Sequence, residues 1–301
     1  MTSKIRVRVD ERELTLTNLD KVLYPDEGFT KAEVIDYYTR VAPAMLPHLR
    51  GRPVTVKRYP DGVTGPFFFE KNRPAHTPGW VRTARLPAPG STKDRDTIEY
   101  AVVDDLATLV YLASLAALEF HAPMWRVGPD GTAERPDLMV FDLDPGAPAT
   151  IVECCRAALR VREVLAEDGL AGCPKTSGNK GMQVYVPWDR DDDPSAYARA
   201  VARRLEAERP DEIVSQMARR LRPGKVFIDW SQNNPAKTTV APYSLRANPR
   251  PTASTPLRWA EVEGCADPGD LVFTAPEVVA RVAEHGDLMA PGRPAGGPFG
   301  P

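Results

Sequence analysis

Cysteine is scarce in this chain of 301 residues: Cys154, Cys155, Cys173 and Cys265 are all there are. Two adjacent thiols in a helical stretch match no zinc spacing, and no paired disulfide framework is visible. Reduced thiols in a cytoplasmic protein are therefore expected. Long apolar runs are missing as well, since none approaches the ~20 residues a membrane span needs. Residues 1–10 alternate charged and apolar side chains and lack the apolar block of a signal peptide. No membrane partner is expected. Charge of one sign is also lacking, because 39 Lys and Arg against 41 Asp and Glu leave a net charge of -2. Global basicity thus gives no sign of nucleic acid, although positive charge can still be confined to one groove.

Proline is plentiful. Its 31 residues punctuate the whole chain and concentrate with glycine only in residues 290–301, which reads as a disordered tail. With no internal repeat and no low-complexity break, residues 1–289 are expected to form one domain. A strand at 5–9 leads to a helix at 31–46, capped by Thr30 with Glu33 at the third helical position. Strand-like residues 54–59 precede Phe67-Phe68-Phe69, and the Leu- and Ala-rich residues 105–120 read as one buried helix. Strands follow at 138–141, 183–187 and 226–228, with helices at 151–168, 197–208 and 213–221. Alternation without strict strand–helix–strand regularity favours a mixed α+β fold.

The sharpest local signal is Leu138-Met139-Val140-Phe141-Asp142-Leu143-Asp144-Pro145-Gly146. On a strand, carboxylates two residues apart share a face and repel each other. A divalent cation turns that repulsion into attraction. A solvated strand end with incidental acids is the plainer alternative for Asp142 and Asp144 alone. Lys175-Thr176-Ser177-Gly178-Asn179-Lys180-Gly181 stands directly before a strand, where two glycines would leave backbone N–H groups free for an anion. Ser177 adds a hydroxyl and Lys180 a charge; a bland turn is the competing explanation. A third apolar run, Lys225-Val226-Phe227-Ile228-Asp229, also ends in a carboxylate, with Arg222 upstream and Gln232, Lys237 and Arg246 downstream. Three carboxylates at strand ends beside cations suit two-metal phosphoryl transfer, with Mn2+ or Mg2+ as cofactor. A glycosyltransferase would use only Asp142 and Asp144, leaving Asp229 and the cations idle. Pro145-Gly146 does not fit a phosphatase with an aspartate nucleophile.

Together these segments resemble the polymerase domain of bacterial ligase D, within the archaeo-eukaryotic primase superfamily. The resemblance runs from Leu16-Thr17-Asn18-Leu19-Asp20-Lys21-Val22-Leu23-Tyr24-Pro25 to about Leu288 and includes Thr238-Thr239-Val240-Ala241-Pro242-Tyr243-Ser244-Leu245-Arg246. It implies a primase-like core of mixed sheets flanked by helices. It implies that Asp142, Asp144 and Asp229 are metal ligands and catalytic residues. Ser177, Lys180, Arg222 and Arg246 would hold the incoming triphosphate, with Lys57 and Gln232 in the same pocket and His121 near the sugar. Phe68 and Phe69 match an aromatic pair that stacks on bases, with one of the two expected in the core. Asn18, Lys21 and Lys31 match a pocket for the 5′-phosphate across a DNA gap.

One position departs from the pattern. Where the family motif Ser-Gly-x-Lys-Gly-x-His ends in histidine, this chain has Gln183, which can donate a hydrogen bond to nucleotide phosphate but cannot carry charge. The resemblance implies a template-guided transferase acting on DNA ends and gapped duplex with NTP or dNTP. It implies a preference for ribonucleotides, activation chiefly by manganese, and a place in end-joining repair at the nucleoid. The alternative is an end-binding module with weakened catalysis that uses Asn18, Lys21, Lys31 and the run Arg219-Arg220-Leu221-Arg222. On the 301 residues present, a stand-alone polymerase that meets Ku and a separate ligase by association is expected.

Overall fold

A computed structural model gives the structure of the protein and describes residues 4–88 and 96–290. Residues 291–301 of the expected tail lie outside the described residues. The chain opens with strands β1 (Lys4–Val9) and β2 (Arg12–Thr17), then β3 (Val22–Tyr24), β4 (Phe29–Thr30) and helix α1 (Lys31–Leu49). Strands β5 (Pro53–Arg58), β6 (Phe68–Glu70), β7 (Thr83–Pro87) and β8 (Thr97–Val102) lead to α2 (Leu106–Ser114) and β9 (Ala117–Ala122). A hairpin of β10 (Trp125–Val127) and β11 (Ala133–Pro136) precedes β12 (Leu138–Pro145) and α3 (Ile151–Glu167). Next come β13 (Cys173–Thr176), β14 (Met182–Pro187), α4 (Pro194–Glu208), β15 (Ile213–Val214), β16 (Val226–Asp229) and β17 (Thr239–Val240). Helices α5 (Trp259–Gly264) and α6 (Ala275–His285) close the described chain.

Two sheets organise the molecule. One runs β17-β9-β5-β8-β7 with β6 attached to β5, and the other runs β13-β14-β12-β16-β15. Each has its own apolar core. Val34, Tyr38, Val41 and Met45 of α1 meet Leu109 and Leu112 of α2 and Val56 and Phe120 of the first sheet. Cys154, Ala158, Val161 and Leu165 of α3 and Ala198, Ala202 and Leu205 of α4 cover Met139, Phe141 and Leu143 of β12. This is the expected mixed α+β architecture.

Helix α1 starts as expected. Thr30 Oγ1 accepts the Glu33 N–H at 3.3 Å, and Glu33 Oε2 accepts the Thr30 N–H at 2.7 Å, a reciprocal cap worth about 1 kcal/mol. The helix continues past Pro47 to the fully buried Leu49. The single helix expected over 105–120 does not form. Leu115 caps α2, Ala116 takes a φ of +59°, and the chain reverses into β9. Pairing with β5 on one side and β17 on the other overrides the helical composition of that stretch. Residues 213–221 also depart from the expected helix. Ile213 and Val214, both β-branched, pair in parallel with β16, and only Arg219–Leu221 forms a 3-10 turn.

Candidate active site

Strand periodicity decides which side chains face away from the α3/α4 core. In β12, Met139, Phe141 and Leu143 enter that core, so Val140, Asp142 and Asp144 take the opposite face. In β14, Met182, Val184 and Val186 point inward and Gln183 outward, while in β16 Val226 and Ile228 point inward and Asp229 outward. The register then lines up one row across four strands, because Lys175 pairs with Gln183, Gln183 with Asp142, and Asp142 with Asp229. The row lies where the two sheets meet. Lys175 Nζ donates to Val240 O of β17 at 3.0 Å and to Ser254 Oγ at 2.6 Å, and the Tyr185 hydroxyl bonds Thr239 of β17.

A cleft of about 710 Å³ opens along this row. Asp142, Asp144, Gln183, Gln232, Arg222 and Arg246 line it, with His121 and the loop residues Ser177 and Lys180. The carboxyl of Asp142 is pushed up to about 7 by burial, then by Asp144 and Asp229, against the lowering hydrogen bond from Gln183. Burial and Asp229 also raise Asp144, against Arg222. Gln183 is 3% exposed; its Nε2 donates to Asp142 Oδ1 at 2.9 Å, and its buried Oε1 has no partner among the described residues. Asp229 turns Oδ1 to the Ser231 N–H at 3.0 Å and Oδ2 to Gln232 Nε2 at 2.8 Å. The turn after β16 is fixed to β12 by Asn233. Its Oδ1 accepts the Val140 N–H and its Nδ2 donates to Val140 O, both at 2.8 Å.

Among the described residues no three His, Cys, Asp or Glu side chains stand as a closed metal-ligand set, and Asp229 has both oxygens engaged by its neighbours. The donor chemistry fits a hard divalent cation. It offers only carboxylate oxygens, two on one strand face and the third across the ladder, and burial together with their mutual repulsion raises Asp142 and Asp144.

The loop before β14 departs from expectation in one respect. Its backbone N–H groups at Asn179 and Gly181 are not free, since both donate to Ser177 Oγ, at 3.3 and 3.2 Å. Gly178 sits at a φ of +70°, where a Cβ would come within 2.6 Å of Arg246 Cγ. Lys180 is exposed and forms no ion pair among the described residues. Across the cleft, Gly146 allows the close approach of Arg222, whose backbone O would lie 2.0 Å from an added Cβ. The Arg222 guanidinium stacks 3.7 Å from the Phe227 ring and donates to Met217 O at 2.9 Å.

Lys57 stands outside the cleft lining, on β5 opposite Glu119 of β9. Phe68 and Phe69 are 43% and 55% exposed, which overturns the expectation that one belongs to the core. Among the described residues strand β6 is paired only to β5, so both rings stay at the sheet's margin. Lys57 Nζ lies 5.7 Å from the Phe69 ring, and Arg58 lies 5.2 Å from that of Phe68. Asn18, Lys21 and Lys31 come together at the β2–α1 junction. The Lys21 N–H donates to Asn18 O and the Lys31 N–H to Lys21 O. Lys21 Nζ pairs with Asp61 at 2.8 Å, and Lys31 Nζ donates to Thr17 O at 2.7 Å. Lys31 is held below the usual lysine range by burial, then by Lys21 and Arg58.

Sequence reasoning missed Glu119 and Lys175. Glu119 fell inside the expected helix; the alternation Leu118-Glu119-Phe120-His121-Ala122 was the signal for a strand. Burial pushes the Glu119 carboxyl up, but the His121 hydrogen bond, Arg246 and Lys57 together hold it at about 2. Burial pushes the Lys175 ammonium well below its ordinary range, against Asp142.

Residues 30–289 match the family model described as LigD, primase-polymerase domain. The multifunctional non-homologous end joining protein LigD of Mycolicibacterium smegmatis is 44% identical over 281 residues, 92% of this chain and 35% of the relative. The bifunctional LigD of Bacillus subtilis is 32% identical over 278 residues, 91% of this chain and 43% of that protein. The chain thus spans less than half the length of these relatives. The solved polymerase domain of Mycobacterium tuberculosis ligase D in complex with DNA superposes with a TM-score of 0.86 at 42% identity, covering 92% of this chain and 96% of that one. The family match over residues 30–289 and a fold shared over 92% of the chain identify it as a member of the LigD primase-polymerase domain family.

Proposed function

We propose that the chain is a template-guided nucleotidyl transferase that fills gaps and extends DNA ends, preferring ribonucleotides, in end-joining repair. The observation that carries this is that Asp142 and Asp144 line one cleft with Ser177, Lys180, Arg222 and Arg246, while the register sets Asp229 directly opposite Asp142 at its edge. Asp142, Asp144 and Asp229 would hold divalent cations, Mn2+ ahead of Mg2+, which when bound supply charge to a primer hydroxyl and a leaving pyrophosphate. Lys180 and Arg246 bind the triphosphate, Arg222 faces Asp144 across the cleft, and Gln232 orients Asp229. Phe69, exposed with its ring 6.1 Å from that of His121 in the cleft, and the exposed Phe68 next to it in sequence give faces on which bases stack.

Lys21 and Lys31, with Asn18, receive a terminal 5′-phosphate, whose extra charge an internal phosphate lacks. The solved neighbour bound to DNA supports this reading. The relatives' naming as end joining proteins supports work beside Ku and a ligase, in the cytoplasm at the nucleoid. No helix among the described residues is long and apolar enough to cross a membrane. The test is primer extension by purified protein with Mn2+ on a 5′-phosphorylated gapped duplex. Extension by the wild type and its loss in Asp142→Ala is the expected result; no extension by the wild type overturns the enzyme reading.

One observation favours a second reading, a DNA-end binding module with weakened catalysis. The Gln183 amide spends one of its two N–H groups on Asp142 and, unlike the motif histidine, offers a nucleotide phosphate no positive charge. If only Gln183→His extends the primer, that reading prevails.

A further inference from the structure

Glu119 has no role in the account above, yet groups from three stretches of chain converge on it. Its Oε2 lies 2.9 Å from His121 Nε2, and its Oε1 lies 3.7 Å from both Lys57 Nζ and Arg246 Nε. The Ala247 N–H donates to Oε1 at 3.2 Å, and the side chain is 4% exposed. Lys57 is its register partner across β5 and β9, and His121 follows two residues on, on the same strand face. One buried carboxylate therefore ties together Lys57 and two residues of the cleft lining, His121 and Arg246.

The chemistry of this contact fixes the histidine. An ionised carboxylate has no hydrogen to give, so the hydrogen between the two groups belongs to His121 Nε2. Burial, with Arg246 and Lys57 nearby, holds the ring below the usual histidine range despite Glu119, so a second proton is disfavoured. A neutral ring with its hydrogen on Nε2 carries a lone pair on Nδ1. His121 lines the cleft, and among the described residues no donor is bonded to Nδ1. An acceptor there takes a hydrogen from a hydroxyl and repels a phosphate oxygen.

We propose that Glu119 is a positioning residue for the sugar of the incoming nucleotide. By fixing His121 in the Nε2–H form it makes Nδ1 the acceptor for a ribose 2′-hydroxyl, while anchoring Lys57 and Arg246 beside it. A deoxynucleotide lacks that hydroxyl and leaves the acceptor unmatched. The proposal rests on the nucleotide reading given above.

Long-range 1H–15N NMR of the nucleotide-free full chain at neutral pH reads the tautomer directly. The expected spectrum has His121 protonated on Nε2 and bare on Nδ1. Glu119→Gln can turn an amide N–H toward the ring, so mixed tautomers are expected, and the preference for ATP over dATP should fall by about fivefold, the worth of one neutral hydrogen bond. His121→Phe, which removes the acceptor, should narrow the ratio equally and serves if Glu119→Gln does not fold. A wild-type ring protonated on Nδ1 or on both nitrogens, or an ATP/dATP ratio unmoved by the substitutions, overturns the proposal. If neither nucleotide binds the wild type, the polymerase reading and the sugar assignment fall together, while the spectrum still decides whether Glu119 sets the ring.

Discussion

At the scale of single residues, the buried Glu119 links charge placement to stability. Its carboxyl is held at about 2, against an ordinary value of 4.5. The unfolded chain therefore binds the proton first, and the stabilisation is complete above about 4.5 and lost as pH falls through about 2. The difference is on the order of 3 kcal/mol. Thermal melts between pH 6 and 2 should show a steeper acid loss for the wild type than for Glu119→Gln; parallel curves would refute the assignment. Lys21 gives a second test. Its ion pair with Asp61 is partly exposed and worth at most about 1 kcal/mol. Asp61→Asn should therefore tighten binding of a 5′-phosphorylated gap by no more than about fivefold at low salt, measured by fluorescence anisotropy. Weaker binding would show that Asp61 does not compete with the phosphate.

At the scale of elements, the site depends on how the turn after β16 is fastened to β12. Asn233 is 3% exposed and satisfies both the N–H and the C=O of Val140. Asn233→Ala leaves those two groups without partners, at a cost of about 2–4 kcal/mol. A drop in the melting temperature together with weaker Mn2+ binding is expected, and an unchanged melt would contradict the role. The elements the sequence revealed best carry their own local signals. Thr30 and Glu33 announce α1, and the apolar runs before Asp142 and Asp229 announce β12 and β16. Strand β9 was hidden because the chain reverses at Ala116, a non-glycine residue at positive φ, and its partners β5 and β17 lie far away in sequence. With β9 went Glu119. Lys175 belongs to the motif before β14, but its burial follows from long-range contacts with Val240 and Ser254 that no local pattern announces.

At the scale of the whole molecule, two sheets with separate cores meet along one seam, and the cleft forms there. A net charge of -2 is compatible with nucleic-acid work because the cations are gathered, with Lys21, Lys31 and Arg58 at one end and Lys180, Arg222 and Arg246 in the cleft. Binding to gapped duplex should therefore weaken linearly on a log–log plot against salt, and removing the 5′-phosphate should weaken it further. Equal affinity for both gap ends would remove the lysine pocket from the account. The most direct test of the central claim is calorimetric titration of Mn2+ into the wild type, Asp142→Asn and Asp229→Asn, each with a non-hydrolysable nucleoside triphosphate. Both substitutions are expected to weaken Mn2+ binding by about tenfold or more while the fold is kept. Unchanged affinity in the two variants would contradict that claim.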